Sequence, residues 1–373
     1  MDNKRIITVV AVILVVAVVI GAAWALTQPA TPPKNDTIYY KVYAPKVQNT
    51  VIGNHTVDGG VMWEPYVSDT VLAGTGHILV NSKTLWPKHP CCVVIVRQDF
   101  ATANPKLVNA TLKAHIEANK WIADTVANKI SDPRSYQILL GIGANFSKVS
   151  KSVVEVALGD MILDYQMTPE FHGGLVNFTN MYIDLNATSM ANVNAKGYSS
   201  VQDFVDQYTV ESYLASAVAV QPSDVSLGEV RMAYLTGDLH QFARVVAMDK
   251  TILGTGKSLF ETYGVTIVDP QPGGFANGGD EMTAFAAATG KPDMGYLGAP
   301  PAILKYLNGD VTKLNVRIVA AANSEGSALV VDSDIHSIAD LAGRTIASPG
   351  ETSIQHLMLI EIAKENGMKV VKK

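Results

Sequence analysis

Residues 58–66 of this chain read Asp-Gly-Gly-Val-Met-Trp-Glu-Pro-Tyr, and this stretch sets the expectation for the fold. Its first half has the composition of a short strand, and Pro65 forces the chain out of regular strand pairing. An indole, a carboxylate and a phenol therefore stand together at a strand end. Because open α/β sheets bind ligands at the ends of their strands, we expect Trp63 and Glu64 to line one wall of a small-molecule cleft.

The opposite wall is expected far downstream, where strand and helix patterns alternate after residue 229. Alternation of this kind predicts parallel sheets with helices on their faces. The strands predicted in this half are 230–235, 265–268, 294–297, 316–321, 328–331 and 345–347, with a last strand near Val370. The first half has predicted strands at 38–43, 77–80 and 91–96, then predicted helices from Pro105, over 133–140, over 147–163 and over 201–218. Residues 173–194 receive no assignment.

Length and charge narrow the class of protein. A chain of 373 residues suggests two domains of ordinary size. The net charge of -5 is spread along the chain without clusters, so a nucleic-acid surface is not expected.

The N-terminal segment has the pattern of a membrane helix. Residues 6–26 form an unbroken run of 21 apolar or small residues behind Lys4 and Arg5. This length favours a retained anchor over a cleavable signal, although cleavage near Ala22 and Ala23 is the alternative. The basic flank predicts a cytoplasmic N-terminus, and hence a single-pass protein of the cell membrane whose globular part is extracytoplasmic. Residues 28–37, rich in proline and polar groups, have the composition of a linker.

The two cysteines, Cys91 and Cys92, are adjacent and lie in a predicted strand. Neighbouring cysteines do not reach ordinary disulfide geometry without strain, so we interpret them as small apolar side chains. A metal-binding pair is the alternative, but no further cysteine exists to complete a thiolate site. No metal site and no cofactor are therefore predicted.

The second half resembles the substrate-binding proteins of ABC importers of the nitrate, sulfonate and taurine type, which include binders of thiamine-pyrimidine precursors. The matching phrases are the first strand with His240 opening its helix, Thr-Gly-Lys-Pro-Asp-Met-Gly-Tyr-Leu-Gly-Ala-Pro-Pro at 289–301, Gly-Ser-Ala-Leu-Val-Val at 326–331, and Ile-Ala-Asp-Leu-Ala-Gly-Arg-Thr-Ile-Ala-Ser-Pro at 338–349. The resemblance implies an α/β, two-lobed fold of the periplasmic-binding-protein type (type II).

The first half resembles the C-terminal half of the same family, through phrases at 57–65, 86–96 and 99–105. The halves therefore look circularly permuted, with the segment 58–66 expected to have the last strand, near Val370, as its sheet neighbour. Exchange of halves with a second copy and a piece of a longer tandem array are the alternatives. The resulting domains are an anchor at 1–27, a linker at 28–37, the family C-terminal half at 38–218, a linker at 219–228 and the family N-terminal half at 229–373.

The site implied by this resemblance lies at strand ends and helix N-termini, where free N–H groups favour anions. Its competing interpretations are a capping or solvated role for His240, a plain turn at Gly278 and Gly279, helix capping by Ser353 or Thr352, and a solvated rim charge for Glu64. The candidate ligand-binding residues are Thr236, Gly237, His240, Gly278, Gly279, Gly298, Ala299, Thr352, Ser353, Trp63 and Glu64.

The resemblance implies capture of a small polar or anionic solute and its delivery to an ABC permease and its ATPase. The alternatives are a membrane-anchored sensory ectodomain and an enzyme similar to thiamine-pyrimidine synthase. The enzyme is not favoured, because the Cys91–Cys92 pair is sparser than the cysteine cluster of that enzyme family. No catalytic residue is assigned.

Overall fold

The computed structural model describes residues 36–373. The predicted anchor and all but the last two residues of the predicted linker at 28–37 lie outside this range. Within the described part, no helix combines the length and the apolar content needed to cross a membrane.

Two mixed sheets organise this part of the chain. Sheet A has the strand order β13-β1-β12-β2-β11-β3, and sheet B has the order β7-β6-β8-β4-β9. The strands are β1 (Thr37–Val42), β2 (Gly59–Trp63), β3 (His77–Asn81), β4 (Cys92–Arg97), β5 (Met161–Leu163), β6 (Gly228–Tyr234), β7 (Val265–Val268), β8 (Met294–Gly298), β9 (Val316–Ala321), β10 (Asn323–Glu325), β11 (Ser327–Val331), β12 (Thr345–Ser348) and β13 (Lys369–Lys372).

Helices cover both faces of the sheets. They are α1 (Pro45–Gly53), α2 (Tyr66–Leu72), α3 (Ser82–Leu85), α4 (Gln98–Ala103), α5 (Pro105–Ala127), α6 (Pro133–Ser147), α7 (Lys151–Asp160), α8 (Pro169–Asp184), α9 (Met190–Ala195), α10 (Val201–Tyr208), α11 (Glu211–Val218), α12 (Phe242–Met248), α13 (Leu259–Thr262), α14 (Gly278–Phe285), α15 (Ala299–Asn308) and α16 (Ile354–Glu365). Two 3-10 helices, Leu239–Gln241 and Ile338–Leu341, complete the set in the described range.

The central strands are buried on both faces because apolar side chains alternate between two packed layers. In β4, Val94 and Val96 enter the cluster on one face of sheet B, and Val93 and Ile95 enter the cluster on the other. The strands β2 and β11 are buried throughout, as expected for strands with helices on each side.

The prediction of purely parallel sheets is wrong for one strand in each sheet. The strand β4 runs antiparallel to both β8 and β9, and β11 runs antiparallel to both β2 and β3. Each is the first strand after the chain passes from one sheet to the other, through residues 82–91 and 322–326. The chain therefore crosses twice between the sheets, and each crossing delivers a reversed strand.

The segment 58–66 does not pair with the last strand. Strand β2 pairs with β12 and β11, whereas β13 pairs in parallel with β1, with Ile38 opposite Val370. Two strands, β1 and β12, thus stand between β2 and β13 in sheet A. The predicted pairing is wrong, and the permuted order of the halves gains no support from it.

Two predicted helices are interrupted. Helix α6 continues to Ser147, Lys148 takes a left-handed conformation, and the segment 147–163 contains α7 followed by β5, which pairs with β10. The segment 201–218 divides because the amide of Val210 donates to the carbonyl of Ile318 on the edge of sheet B. The unassigned residues 173–194 belong mainly to α8 and α9.

Candidate functional site

A cavity of about 20 Å³ lies where the carboxyl ends of the parallel strands of sheet A and sheet B face each other. Strand β2 and helix α16 reach it from sheet A, and the ends of β6 and β8 and the start of β4 reach it from sheet B. This is the position at which open α/β sheets hold ligands. Its lining residues are Trp63, Cys91, Cys92, Leu235, Asp238, His240, Asn277, Gly278, Gly298, Pro301, Ser353, Ile354 and Gln355.

One side of the cavity, here called the helix wall, is made by the first turns of α14 and α16 with Trp63 beside them. Asn277 caps α14 by accepting from the amide of Asp280 at 2.9 Å, and Ser353 caps α16 by accepting from the amide of His356 at 3.1 Å. The first N–H groups of a helix have no partner within the helix, and its dipole is positive at that end. The helix wall therefore favours negative charge.

Helix α15 contributes differently, although it also begins at the cavity. The amide of Ala299 donates to the carbonyl of Cys91 at 2.7 Å. The next two residues, Pro300 and Pro301, have no N–H group. This helix therefore adds its dipole and the ring of Pro301, but no hydrogen-bond donor from its first three residues.

Trp63 brings an indole donor to the helix wall. Its side chain is 4% exposed, and its Nε1–H has no hydrogen-bond partner among the described residues. A buried donor without a partner costs free energy. A ligand acceptor in the cavity would supply the missing partner.

The other side, here called the thiol wall, consists of Cys91, Cys92, Asp238 and His240. The Sγ atom of Cys91 is 3.2 Å from Nδ1 of His240, and the Sγ atom of Cys92 is 3.6 Å from Oδ2 of Asp238. The Nε2 atom of His240 is 2.9 Å from the carbonyl oxygen of Gly326. All four residues are buried.

Burial and mutual charge shift every titratable group of the thiol wall. The hydrogen bond with Cys92, assisted by the charge of His240, holds the pKa of the Cys91 thiol well below its ordinary value. Burial raises the pKa of Cys92, and burial also raises the pKa of Asp238 to about 6. Burial lowers the pKa of His240, but the charges of Cys91 and Asp238 outweigh it and raise that pKa to about 9. The wall thus favours a thiolate next to an imidazolium.

The structure brings five of the predicted ligand-binding residues to the cavity, namely Trp63, His240, Gly278, Gly298 and Ser353. His240 is 1% exposed and does not cap the helix, because Asp238 accepts from the His240 amide instead. The capping interpretation holds for Ser353, which both caps α16 and lines the cavity.

Five other predicted residues lie beside the cavity without lining it. A Cβ atom on Gly279 would stand 3.0 Å from Oγ1 of Thr352, so these two residues meet across the sheets. The amide of Ala299 donates a hydrogen bond to the carbonyl of Cys91, as described above. The Oγ1 atom of Thr236 donates to the carbonyl of Gly273. Gly237 takes a left-handed conformation with φ 66° next to the Tyr66 hydroxyl.

Glu64 is neither a ligand group nor a solvated rim charge. Its carboxylate is buried and accepts hydrogen bonds from the amide and the hydroxyl of Ser68 at 3.1 and 2.9 Å. Burial raises its pKa to about 7, against the opposing effect of the Ser68 bonds. The expectation fails because Pro65 begins the turn into α2, and this turn directs the carboxylate at the amide and hydroxyl of Ser68 rather than at the cavity.

Sequence reasoning missed Cys91, Cys92, Asp238, Asn277 and Gln355. Asn277 carried a usable signal, because asparagine is a preferred N-cap and the acidic residues Asp280 and Glu281 follow it at first-turn positions. The adjacent cysteines predict small apolar side chains, because their partners His240 and Asp238 are 149 and 146 residues away in the sequence. Asp238 and Gln355 carried no local signal, as only the fold brings them to the cavity.

Comparisons with known proteins agree with the sequence resemblance over part of the chain. Residues 28–131 match the model of the NMT1-like family. The nitrate/nitrite binding protein NrtA of Nostoc sp. is 29% identical over 138 residues, which is 36% of this chain and 28% of that protein. The bicarbonate transport ATP-binding protein CmpC of Synechocystis sp. is 28% identical over 101 residues, which is 27% of this chain and 15% of that protein. No solved structure matches.

These findings confirm the resemblance to ABC-importer substrate-binding proteins of the nitrate, sulfonate and taurine type. The chain spans less than a third of the length of either relative.

Proposed function

We propose that this protein is an extracytoplasmic solute-binding protein, which captures a small polar or anionic solute between sheets A and B and delivers it to an ABC permease and its ATPase. The observation that carries the proposal is the helix wall. Helix α14 packs against β8 of sheet B, helix α16 packs against β2 and β11 of sheet A, and the first turns of both helices line the same cavity. An anion bound there would accept hydrogen bonds from the first turns of both helices at once.

Direct contacts between the two sides of the molecule support a closed, ligand-retaining arrangement. The amide of Leu239 donates to the carbonyl of Glu64 at 3.2 Å, and the hydroxyl of Tyr182 donates to the carbonyl of Thr352 at 2.8 Å. Proteins that close by hinge motion join two lobes around the ligand in this way. The two connections between the sheets, residues 82–91 and 322–326, are the natural hinge.

The size of the cavity favours a compact solute. A volume of about 20 Å³ corresponds to room for roughly one or two water molecules. A planar or tetrahedral oxyanion of a few atoms, such as nitrate, suits this space better than a pyrimidine ring. The resemblance to a nitrate/nitrite binding protein supports the same class of solute.

The membrane anchor and the closure of the two halves within one chain are part of the proposal. The apolar run at residues 6–26 supports a membrane anchor that holds the binding domain outside the cytoplasm. Both sheets take strands from both halves of the chain, which supports closure of the halves within one chain. We propose no catalytic step for this cavity.

A thermal-shift survey of the full chain in detergent tests the proposal. The solutes are nitrate, bicarbonate, taurine, an alkanesulfonate and an aminopyrimidine. We expect nitrate or another compact oxyanion to raise the unfolding temperature in a saturable way, because only the folded state binds it. Absence of a shift with every member of the panel would contradict the proposal.

Substituting Trp63→Phe tests the helix wall, since it removes the indole N–H and keeps an aromatic ring. Affinity for the responding solute should fall about tenfold, the effect of one lost hydrogen bond to a charged group. Trp121→Phe is the matched control, because Trp121 lies on α5, outside both the cavity lining and the two connections between the sheets, and should leave affinity unchanged. Equal affinities for wild type and Trp63→Phe would remove this indole from the site.

A further inference from the structure

The thiol wall has a donor set that anion binding does not use. Two sulfur atoms and one imidazole nitrogen, from Cys91, Cys92 and His240, lie within 4.8 Å of one another. The Asp238 carboxylate adjoins both Cys92 and His240. Thiolate, imidazole and carboxylate are the ligands that zinc and other thiophilic ions take in proteins.

The orientation of His240 is that of a metal ligand. Its Nε2 atom is 2.9 Å from the carbonyl of Gly326, and a carbonyl only accepts hydrogen bonds. The Nε2 atom therefore carries a proton in either charge state of the ring, and Nδ1 is the nitrogen that faces the thiols and would bind a metal on losing its own proton. Metal-binding histidines are held in this way, with the second ring nitrogen donating to a carbonyl or carboxylate.

The spacing of the three donor atoms is compatible with a shared ion. With metal–sulfur distances of about 2.3 Å and metal–nitrogen distances of about 2.0–2.1 Å, neighbouring ligand atoms of a tetrahedral site stand roughly 3.4–3.8 Å apart. The Asp238 carboxylate flanks the donors through two different oxygens, with Oδ2 3.6 Å from Cys92 Sγ and Oδ1 3.6 Å from His240 Nδ1. Cys91 Sγ and His240 Nδ1, at 3.2 Å, need to move apart by only a few tenths of an ångström to match.

The adjacent cysteines reach one point because they are not both in the sheet ladder. Strand β4 begins at Cys92, and Cys91 precedes it. The Cys91 amide donates to the carbonyl of Asn323 at 3.0 Å, and the Cys92 amide donates to the Asn323 side chain at 2.9 Å. Asn323, in the second connection between the sheets, thus holds the backbone of both cysteines in place.

We propose that Cys91, Cys92 and His240 bind one thiophilic d10 metal ion, Zn²⁺ or Cu⁺, and that the neighbouring Asp238 carboxylate positions these ligands. Hard cations such as Mg²⁺ and Ca²⁺ are excluded by the sulfur ligands, since these ions require oxygen. These ligands lie on the opposite side of the same cavity from the helix wall, and the inference does not rest on the proposed function.

Titration with Co²⁺, a coloured substitute for Zn²⁺, tests the proposal on the reduced full chain in detergent under nitrogen. We expect one Co²⁺ per chain, a thiolate-to-cobalt charge-transfer band, and displacement by one equivalent of Zn²⁺. In Cys91→Ser and Cys92→Ser the band should weaken, and Zn²⁺ affinity should fall at least about 100-fold. In Asp238→Asn affinity should fall about tenfold.

His89→Gln is the matched control, because His89 is two residues from Cys91 but bonds the Trp86 carbonyl and lies outside the cluster. Its band and stoichiometry should equal those of wild type. A second measurement needs no variant: one equivalent of Zn²⁺ should protect both thiols of the wild-type chain from alkylation by iodoacetamide.

Three results would overturn the proposal: no cobalt–thiolate band in a folded chain with two titratable thiols, an undiminished band in both serine variants, or thiols that remain equally reactive with Zn²⁺. The two sites are distinguished by Trp63→Phe, which should keep the metal and weaken the anion. Failure of anion binding with an intact cobalt band would therefore count against the proposed function alone.

Discussion

Two buried histidines, one in each wall of the cavity region, have opposite charge preferences. His240 in the thiol wall is 1% exposed, and the charges of Cys91 and Asp238 overcome burial and raise its pKa to about 9. His356, in the first turn of α16 behind the helix wall, is 5% exposed, and burial lowers its pKa to about 4. Its Nδ1 atom lies 3.0 Å from the hydroxyl of Ser348.

The difference shows that charged neighbours, rather than burial, divide the cavity into two chemistries. Burial disfavours the charged form of both rings, and only His240 has a thiolate and a carboxylate beside it. The charge of each ring therefore depends on its neighbours: sulfur, imidazole and carboxylate groups stand together in the thiol wall, and helix N–H groups stand in the helix wall. Three substitutions, two of them with a control variant, test the roles of residues in and beside the two walls, from the largest expected effect to the smallest.

Gly326→Ala should have the largest effect, because it acts on the support of the thiol wall. Gly326 has φ 83°, and an added Cβ atom would lie 2.5 Å from Nε2 of His240 and 2.7 Å from Cγ of Met161. Left-handed strain of about 1–2 kcal/mol and overpacking of about 1–3 kcal/mol add up to a loss of about 3 kcal/mol of unfolding free energy. Urea denaturation measures it, and cobalt affinity should fall with it.

Gly74→Ala separates the strain from the clash. Gly74 has φ 70°, and its Cβ position is open to at least 4 Å. Only the backbone strain, about 1 kcal/mol, should be lost, with unchanged cobalt affinity. If both alanine variants lost the same free energy, Gly326 would not support His240 as described.

His356→Gln should alter the dependence of stability on acid. The unfolded histidine binds a proton near pH 6.5 and the folded one only near pH 4, so protons favour the unfolded state. The contribution is fully present above pH 6.5 and is lost as the pH falls toward 4. Between pH 7 and pH 4 the wild type should lose about 2–3 kcal/mol more than the variant, measured by urea denaturation.

His336→Gln is the control for this pH series, because His336 is exposed. Its stability should follow the wild type across the same range. A His356→Gln protein with the same acid sensitivity as wild type would show that the His356 ring is not held neutral in the folded chain.

Glu64→Gln should have the smallest effect and tests the corrected role of this residue. The folded pKa of Glu64, about 7, is above the unfolded value, so its contribution is present below pH 4.5 and is lost as the pH rises through 7. At pH 8 the neutral glutamine should be more stable by about 1 kcal/mol after the weakened Ser68 bonds are subtracted. Solute affinity should change less than twofold, and a tenfold loss would return Glu64 to the binding site.

Much of the fold could be predicted from the sequence, because strands such as β4 and β8 are continuous apolar runs and helix α5 begins at a proline and carries an apolar face. The direction of β4 and β11 could not be predicted. An apolar run has the same composition in either direction, and only the crossing between sheets reverses it. The helix break at Thr209 and Val210 was equally hidden, since it depends on a bond to Ile318 in another element.

The helix wall was easier to predict than the thiol wall for a physical reason. Gly278, Ser353 and Trp63 stand at helix starts and strand ends, which are positions that local patterns define. Cys91, Cys92, Asp238 and His240 come together only when β4 and β6 take places on either side of β8. Their chemistry belongs to the tertiary fold, so a pattern in one segment could not indicate it.

Isothermal titration of the reduced full chain with nitrate, in detergent at neutral pH, tests the central claim most directly. We expect a saturable heat of binding with one nitrate per chain, and about tenfold weaker binding in Trp63→Phe. A titration without saturable heat up to millimolar nitrate, together with the same result for the other compact oxyanions, would contradict it.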